Sequence, residues 1–333
     1  MRDTGALTLF TIPKPFRDNI ALIQRNAIRS WTLLRPTCEI LLFGDDEGTA
    51  ETAAEFGLRH IPNVARSEYG TPLVSDLFEQ AQRLATHHLF CYVNADIILM
   101  SDFMAAVRRI PFRRFLMAGR RWDVDLEQAL DFQAGWENRL REYTLRLGKL
   151  HPPVGIDYFV FTRGLWEEIP PFAIGRTAWD NWLLYEARAR GAPLIDATRA
   201  VMAIHQNHDY THVPGGFEEA WKGPEAQRNR ALMGGFDHLY TLTDATWFVT
   251  RHLLLPAMTS EYRHWHSNRF ADSGFRAYRE GNLRQAARYL VKAVCYRPSL
   301  LANRGVLSIL AESVVGRRLM ARYREWRHRT DPP

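Results

Sequence analysis

The chain has 333 residues, 46% of them hydrophobic and 24% charged, which excludes a disordered chain and leaves room for one large domain and a small one. Its formal net charge is +6, with Arg far outnumbering Lys. No dense basic run is interleaved with aromatics and no zinc-finger or RNP1-type pattern occurs, so nucleic acid is not an expected partner. Three widely separated cysteines, Cys38, Cys91 and Cys295, give neither a disulfide framework nor a zinc spacing, and no apolar stretch reaches the roughly 18 residues of a membrane span.

In chain order, residues 6–12 read as a buried strand closed by Pro13 and Pro15. Residues 18–34 form a helical pattern, with Ile20, Ile23, Ala27, Ile28 and Trp31 on one face. A second strand, 39–43, ends in the acidic turn Gly44-Asp45-Asp46-Glu47-Gly48, and a short helix, 49–56, has Gly57 as its C-cap. A short third strand is expected over 58–61. Thr71 as N-cap and Pro72 at the first position predict a helix reaching about residue 86.

A strand over 88–93 runs into Asn94-Ala95-Asp96 and the apolar 97–100. Another strand candidate, 115–118, leads to Arg120 and Arg121, which suit an exposed basic turn, the plainer reading, or contact with a diphosphate or an acidic acceptor. Residues 123–151 are polar and helix-friendly, without a motif. A strand at 158–161, a helix over 178–190 closed by Gly191, and one or two short strands within 194–204 complete the alternation, followed by a His-rich loop from 205 to 216. This order predicts an α/β fold with a mostly parallel sheet covered on both faces, over residues 1–245. Residues 246–333 are expected to be helical, including 247–255. There Ala277, Tyr278, Gly281, Ala286, Leu290, Ala293 and Pro298 resemble a single tetratricopeptide-type helix pair, and Arg317, Arg318, Arg322, Arg324, Arg327 and Arg329 make a basic end.

Three segments carry the chemistry. In Tyr92-Val93-Asn94-Ala95-Asp96-Ile97-Ile98-Leu99 an acid interrupts an apolar passage, where a charge is costly unless it is paired or binds a metal. At a strand's carboxyl end it suits a hard cation bridging a diphosphate. In the loop that starts with His205 and His208, imidazoles offer further metal ligands, and His212 is expected to serve only loop hydrogen bonding. In Ala178-Trp179-Asp180-Asn181-Trp182 an acid sits between two Trp at a helix start, where partial desolvation would raise its pKa toward that of a general base; plain N-capping is the competing view.

Asn94-Ala95-Asp96 resembles the DxD motif of GT-A-fold nucleotide-sugar glycosyltransferases, family-2-like, with Asn in the first position. The resemblance spans residues 6–245 and rests on the order of motifs at strand ends. It implies a Mn²⁺ or Mg²⁺ ion on Asp96 with His205, and His208 as second choice. It implies donor contacts from Asn94, Thr11, Pro13 and Asp45, a sugar-hydroxyl contact from Asp157 in the Gly155-Ile156-Asp157 segment, and Asp180 as the base of an inverting transfer. The implied partners are a nucleoside diphosphate sugar and a glycan or lipid-linked acceptor. A nucleotidyltransferase is disfavoured, since residues 11–17 lack the glycines its loop after the first strand needs. A non-catalytic nucleotide-sugar-binding protein is the other alternative. The segment before the first strand has no signal-peptide pattern, so a cytoplasmic setting is expected, with the basic tail suited to an acidic membrane face.

Overall fold

The computed structural model describes residues 6–208, 216–257, 260–316 and 319–320. His212 and the six tail arginines singled out above lie outside them. The chain divides into two compact units, 1–256 and 257–333.

The first unit is a mixed α/β structure. Its elements run β1 (Leu7–Thr11), α1 (Asp18–Thr32), β2 (Glu39–Phe43), α2 (Thr49–Phe56), β3 (Arg59–Ile61), α3 (Val74–Leu84), β4 (Leu89–Val93), β5 (Ile97–Ile98), α4 (Ser101–Val107) and β6 (Leu116–Val124). They continue as α5 (Trp136–Leu147), β7 (Lys149–Leu150), β8 (Ile156–Thr162), α6 (Trp179–Ala189), β9 (Leu194–Asp196), β10 (Ala203–Gln206), α7 (Gly216–Lys222), α8 (Pro224–Met233), β11 (Trp247–Val249) and β12 (Leu254–Pro256). The main sheet has the order β12-β11-β9-β6-β8-β4-β1-β2-β3. Strands β3, β2, β1 and β4 are parallel neighbours, as are β6, β9 and β11, while β8 runs antiparallel between β4 and β6.

Side chains alternate across these strands and feed two cores. Phe10, Phe43, Phe90, Tyr92, Phe159 and Phe161 pack with residues of α3 and α6, whereas Leu7, Leu9, Leu42, Cys91, Val93 and Val160 pack with residues of α1 and α4. Both faces of the sheet are thus covered, which is why its strands read as continuous apolar runs.

Strand β6 is the element that shapes the site. Its first half pairs with β8 and β9, its second half with β10. The β8 register shifts between Ala118 and Arg120, at Gly119, where an added Cβ would lie 2.2 Å from the Tyr158 hydroxyl. A glycine there allows the close approach and the bend. Arg120 and Arg121 are therefore strand residues, not the exposed turn expected after residue 118.

Three other expectations are corrected. Residues 247–249 and 254–256 are strands on the sheet, not helix, because a short apolar run satisfies either period and here the sheet edge claims it. The first unit accordingly extends to Pro256 instead of ending at 245. Helix α3 starts at Val74 after Leu73, because Pro72 and Leu73 are held extended in bridges to Arg66 and Ala173; Thr71 is no cap, and its hydroxyl donates to Glu225 (2.7 Å).

The second unit contains α9 (Ser260–Arg279), α10 (Leu283–Tyr296), a 3₁₀ turn (Pro298–Ala302) and α11 (Arg304–Val315). The three residues between α9 and α10 make these two a helical hairpin. Gly274 lets α10 approach, since a Cβ would meet Leu290 at 2.7 Å, and Ala271, Ala286, Leu290 and Ala293 form the seam. Among the described residues no helix is long and apolar enough to cross a membrane.

Candidate metal site

Asp96 follows β4 in a tight turn whose geometry is set by backbone bonds. Asn94 N donates to Asp157 O (2.9 Å), and Gln206 N donates to Asp96 O (3.3 Å). The fully buried Gln206 reinforces this. Its amide donates to Asp96 O (3.2 Å) and Ile23 O (2.8 Å), and its oxygen accepts from Asn26 of α1 (3.0 Å). Trp31 adds a bond from Nε1 to Ile97 O (2.9 Å). Each of these buried polar groups thus has a partner, which locks the Asp96 turn to α1 and β10.

The antiparallel β10–β5 register sets His205 opposite Ile97, next to Asp96. One ligand atom each from Asp96, His205 and His208 lies within 4.8 Å of the others. Asp96 Oδ2 is 3.2 Å from His208 Nε2 and 3.8 Å from His205 Nε2. Among the described residues Asp96 Oδ1 is buried and accepts no hydrogen bond. A buried carboxylate oxygen left unsatisfied beside two imidazoles is the arrangement a cation would complete, so the residues fit a metal ion. His205 belongs to β10 itself, not to a loop after it.

Sequence reasoning missed three members of the site, Lys14, Asp123 and His151, and singled out Arg121 without the carboxylates it holds. Lys14 Nζ lies 3.1 Å from His208 Nε2 and 3.9 Å from Asp96 Oδ2. Its backbone is clamped by Gln24, which accepts from Lys14 N (2.6 Å) and donates to Lys14 O (2.8 Å). Burial pushes the Lys14 ammonium's pKa down, against the pull of Asp96 and Asp157. Burial also opposes ionisation of Asp96, but His208, His205 and Lys14 outweigh it and hold that carboxyl far below the usual range.

Arg121 Nη1 donates to both Asp157 oxygens (2.9 Å each), and its Nε donates to Asp123 Oδ1 (2.8 Å). Asp123 Oδ2 bonds His151 Nδ1 (2.6 Å). The available signal was the alternation past Gly119, where charged Arg121 and Asp123 alternate with apolar Trp122 and Val124.

Asn94 donates from Nδ2 to Asp157 Oδ1 (2.7 Å) and accepts from the Tyr92 hydroxyl (2.8 Å). An acid in its place would set two carboxylates against each other, so the Asn is what this local geometry requires. Asp157 is 5% exposed and accepts three hydrogen bonds from Arg121 and Asn94. Thr11, whose hydroxyl is buried without a partner, and the buried Pro13 lead directly into Lys14. Asp45 instead is an exposed acid at the end of β2 and pairs with Arg66 (2.7 Å).

Asp180 lies in the first turn of α6. The N-cap is Ala178, in the left-handed region at φ 86, so Asp180 is not the capping residue that the plainer view supposed. Asn229, fully buried, bonds Ala173 N (2.9 Å), Ala173 O (2.9 Å) and Thr177 O (3.1 Å), and so fixes the segment that delivers the chain into this helix. Burial raises the Asp180 pKa to about 7. Backbone amides of the first turn resist this, and the charge of Asp157 adds to it. Its field also reaches Tyr92.

No protein-family model and no curated protein sequence matches this chain. Among solved structures it is similar to glucosyl-3-phosphoglycerate synthase from Mycobacterium tuberculosis in complex with Mg²⁺ and UDP. That match has 13% identity and a TM-score of 0.40, and covers 70% of this chain and 79% of that one. The same enzyme with Mn²⁺, UDP and phosphoglyceric acid matches at 14% identity and TM-score 0.41, covering 68% and 77%. A mannosyltransferase from Pyrobaculum calidifontis, in complex with GDP-Man and Mn²⁺, matches at 13% and 0.38, covering 96% and 82%. Likeness at this level assigns no residue of this chain a role; the geometry of the site has to do that.

Proposed function

We propose that this chain transfers a sugar from a nucleoside diphosphate sugar to a hydroxyl acceptor, with inversion, using a divalent metal held by Asp96, His205 and His208. The observation that carries this reading is the convergence of those three ligand atoms within 4.8 Å beside the Lys14 side chain, where a bound cation and Lys14 together would face a diphosphate. A bound ion would supply Lewis-acid neutralisation of the departing diphosphate. Two imidazoles with one carboxylate suit Mn²⁺ better than Mg²⁺, which favours oxygen ligands and retains its water.

Asp180 is the base on this reading. As its carboxylate takes the acceptor's hydroxyl proton, the acceptor oxygen bonds to the anomeric carbon, and the bond from that carbon to the diphosphate oxygen breaks. A pKa of about 7 lets a carboxylate accept a proton at neutral pH and later release it. Asp157 is held by Arg121 and Asn94 with little accepting capacity left over, enough for one sugar hydroxyl. Thr11, Pro13 and Asp45, at the ends of β1 and β2, are proposed for the base and ribose. The helical second unit, resembling a tetratricopeptide pair, is proposed as an appendage outside the chemistry.

The test is a screen of UDP- and GDP-sugars for release of the nucleoside diphosphate, with Mn²⁺ and with EDTA. Metal-dependent release from one donor class supports the reading. Absence of release from every donor, together with nucleotide affinity indifferent to EDTA, would sink it.

A further inference from the structure

We propose that Asp123 is a positioning residue for the metal site: it accepts a hydrogen bond from His205 Nδ1–H and so leaves Nε2 as the bare lone pair that faces Asp96 and the ion. This rests on the metal-site reading above and goes beyond it by naming what aims the ligand.

The register places the two residues. Strands β6 and β10 are parallel with His205 directly opposite Asp123. The imidazole spans the gap between two carboxylates. Its Nε2 is 3.8 Å from Asp96 Oδ2, and its Nδ1 is 3.4 Å from Asp123 Oδ1. Among the described residues Nδ1 is buried without a formed hydrogen bond, and the Asp123 carboxylate oxygen at 3.4 Å is the acceptor set beside it. A neutral imidazole carries one proton, and the nitrogen beside an anchored acceptor holds it. A carboxylate behind a metal-bound imidazole fixes the ring's tautomer and orientation and raises its basicity.

Asp123 is itself anchored on both oxygens. Arg121 Nε donates to Oδ1 (2.8 Å) and His151 Nδ1 bonds Oδ2 (2.6 Å). The His151 ring reaches it because residue 155 is glycine: a Cβ there would lie 2.1 Å from His151 Cδ2. His151 N also donates to Arg121 O (2.9 Å), which ties the ring's backbone to β6. Arg121 further joins this arm to Asp157, so one guanidinium holds both the carboxylate behind the metal ligand and the carboxylate beside the sugar. Asp123, Arg121 and His151 lie outside the cluster of Asp96, His205 and His208 that would hold an ion, and their role is to set the geometry of His205.

The experiment titrates Mn²⁺ into the full chain without nucleotide, following free Mn²⁺ by its electron paramagnetic resonance signal, with thermal unfolding run in parallel. Asp123→Ala is expected to weaken Mn²⁺ binding about 10–100-fold while remaining folded. Asp123→Asn, whose amide oxygen still accepts from Nδ1–H, should recover most of that loss. Gly155→Ala, which displaces the His151 ring, should weaken binding less, in the same direction. Imidazole ¹⁵N shifts should show the Nδ1–H tautomer at His205 in the wild type and a tautomer mixture in Asp123→Ala.

Wild-type Mn²⁺ affinity in Asp123→Ala, with affinity lost in His205→Ala, would overturn the proposal and leave the metal site standing. Equal losses in the Asn and Ala variants would overturn it too, because charge rather than an acceptor would then matter. Unchanged Mn²⁺ affinity in both Asp96→Ala and His205→Ala would remove the metal site itself. Should Asp123→Ala fail to fold, Gly155→Ala and the His205 shifts of Asp123→Asn decide the matter.

Discussion

The Asp96 side and the Asp180 side of the site are built by opposite means. His205 and Asp123 stand on strands whose register fixes them, and Asp96 on the turn between β4 and β5, backed by the buried Gln206–Asn26 amide pair. Their negative charges are answered one by one, by His208 and Lys14 at Asp96 and by Arg121 and His151 at Asp123. Asp180 instead enters through a strained residue, Ala178 at φ 86, held by a loop that Asn229 pins. Its immediate neighbour in charge is another acid, Asp157. The same side chain is therefore kept ionised on one side and inclined to bind a proton on the other. Environment, not residue type, divides a fixed charge from a proton acceptor.

The strongest test of the contrast removes the charge from each side in turn. Asp96→Ala is expected to abolish the metal-dependent part of UDP or GDP affinity altogether, read by calorimetry with Mn²⁺ and with EDTA; retained dependence on metal would break the strand-held half. Asp180→Asn is expected to lower kcat by about 10²–10⁴-fold with nucleotide affinity intact. Near-normal turnover, or a product retaining the donor's anomeric configuration, would show that Asp180 is not the base.

The two sides should also respond to pH in opposite directions. Asp180 has a folded pKa near 7, above its ordinary 3.8, so the stability it contributes is full below 3.8 and lost as pH rises through 7. Asp96 and Asp123 are depressed, so theirs is present above 3.8 and lost as pH falls below it. Unfolding curves of wild type and Asp180→Asn should therefore differ progressively between pH 4 and 7, with the wild type losing ground. Over the same window activity should rise with an inflection near 7, as the base ionises. A flat profile through neutrality would contradict the assignment.

Smaller effects sharpen the picture. Asn94→Asp sets a carboxylate beside Asp157 in place of a 2.7 Å hydrogen bond and should cost about 1–3 kcal/mol of stability, read by denaturant unfolding, without tightening Mn²⁺ binding. A gain in Mn²⁺ affinity would mean that the first acid of the motif is merely missing here. Asp45→Ala breaks an exposed, solvent-screened pair with Arg66 and should leave stability close to that of the wild type. A tenfold loss of nucleotide affinity in that variant would identify Asp45 as a base or ribose contact; an unchanged affinity would leave it a surface acid.

By itself the sequence determined where the chain would be buried and where a charge would interrupt that burial. Strand β2 and helix α2 with its Gly57 cap lie where their apolar runs and glycine place them, since both signals are local. Asp96 stood out because an acid after an apolar strand needs a partner. Asp180 stood out because it lies between Trp179 and Trp182.

What only the tertiary structure decided was company. Arg121 and Asp123 become site residues through the bend of β6 at Gly119 and the parallel register that sets Asp123 beside His205. Both are long-range pairings that leave no spacing in the chain. Lys14 and His151 likewise matter only because the fold carries them to partners 194 and 28 residues away. The strands at 247–256 were misread for the same reason. A short apolar run carries no decisive period, and the open edge of β9 chose for it.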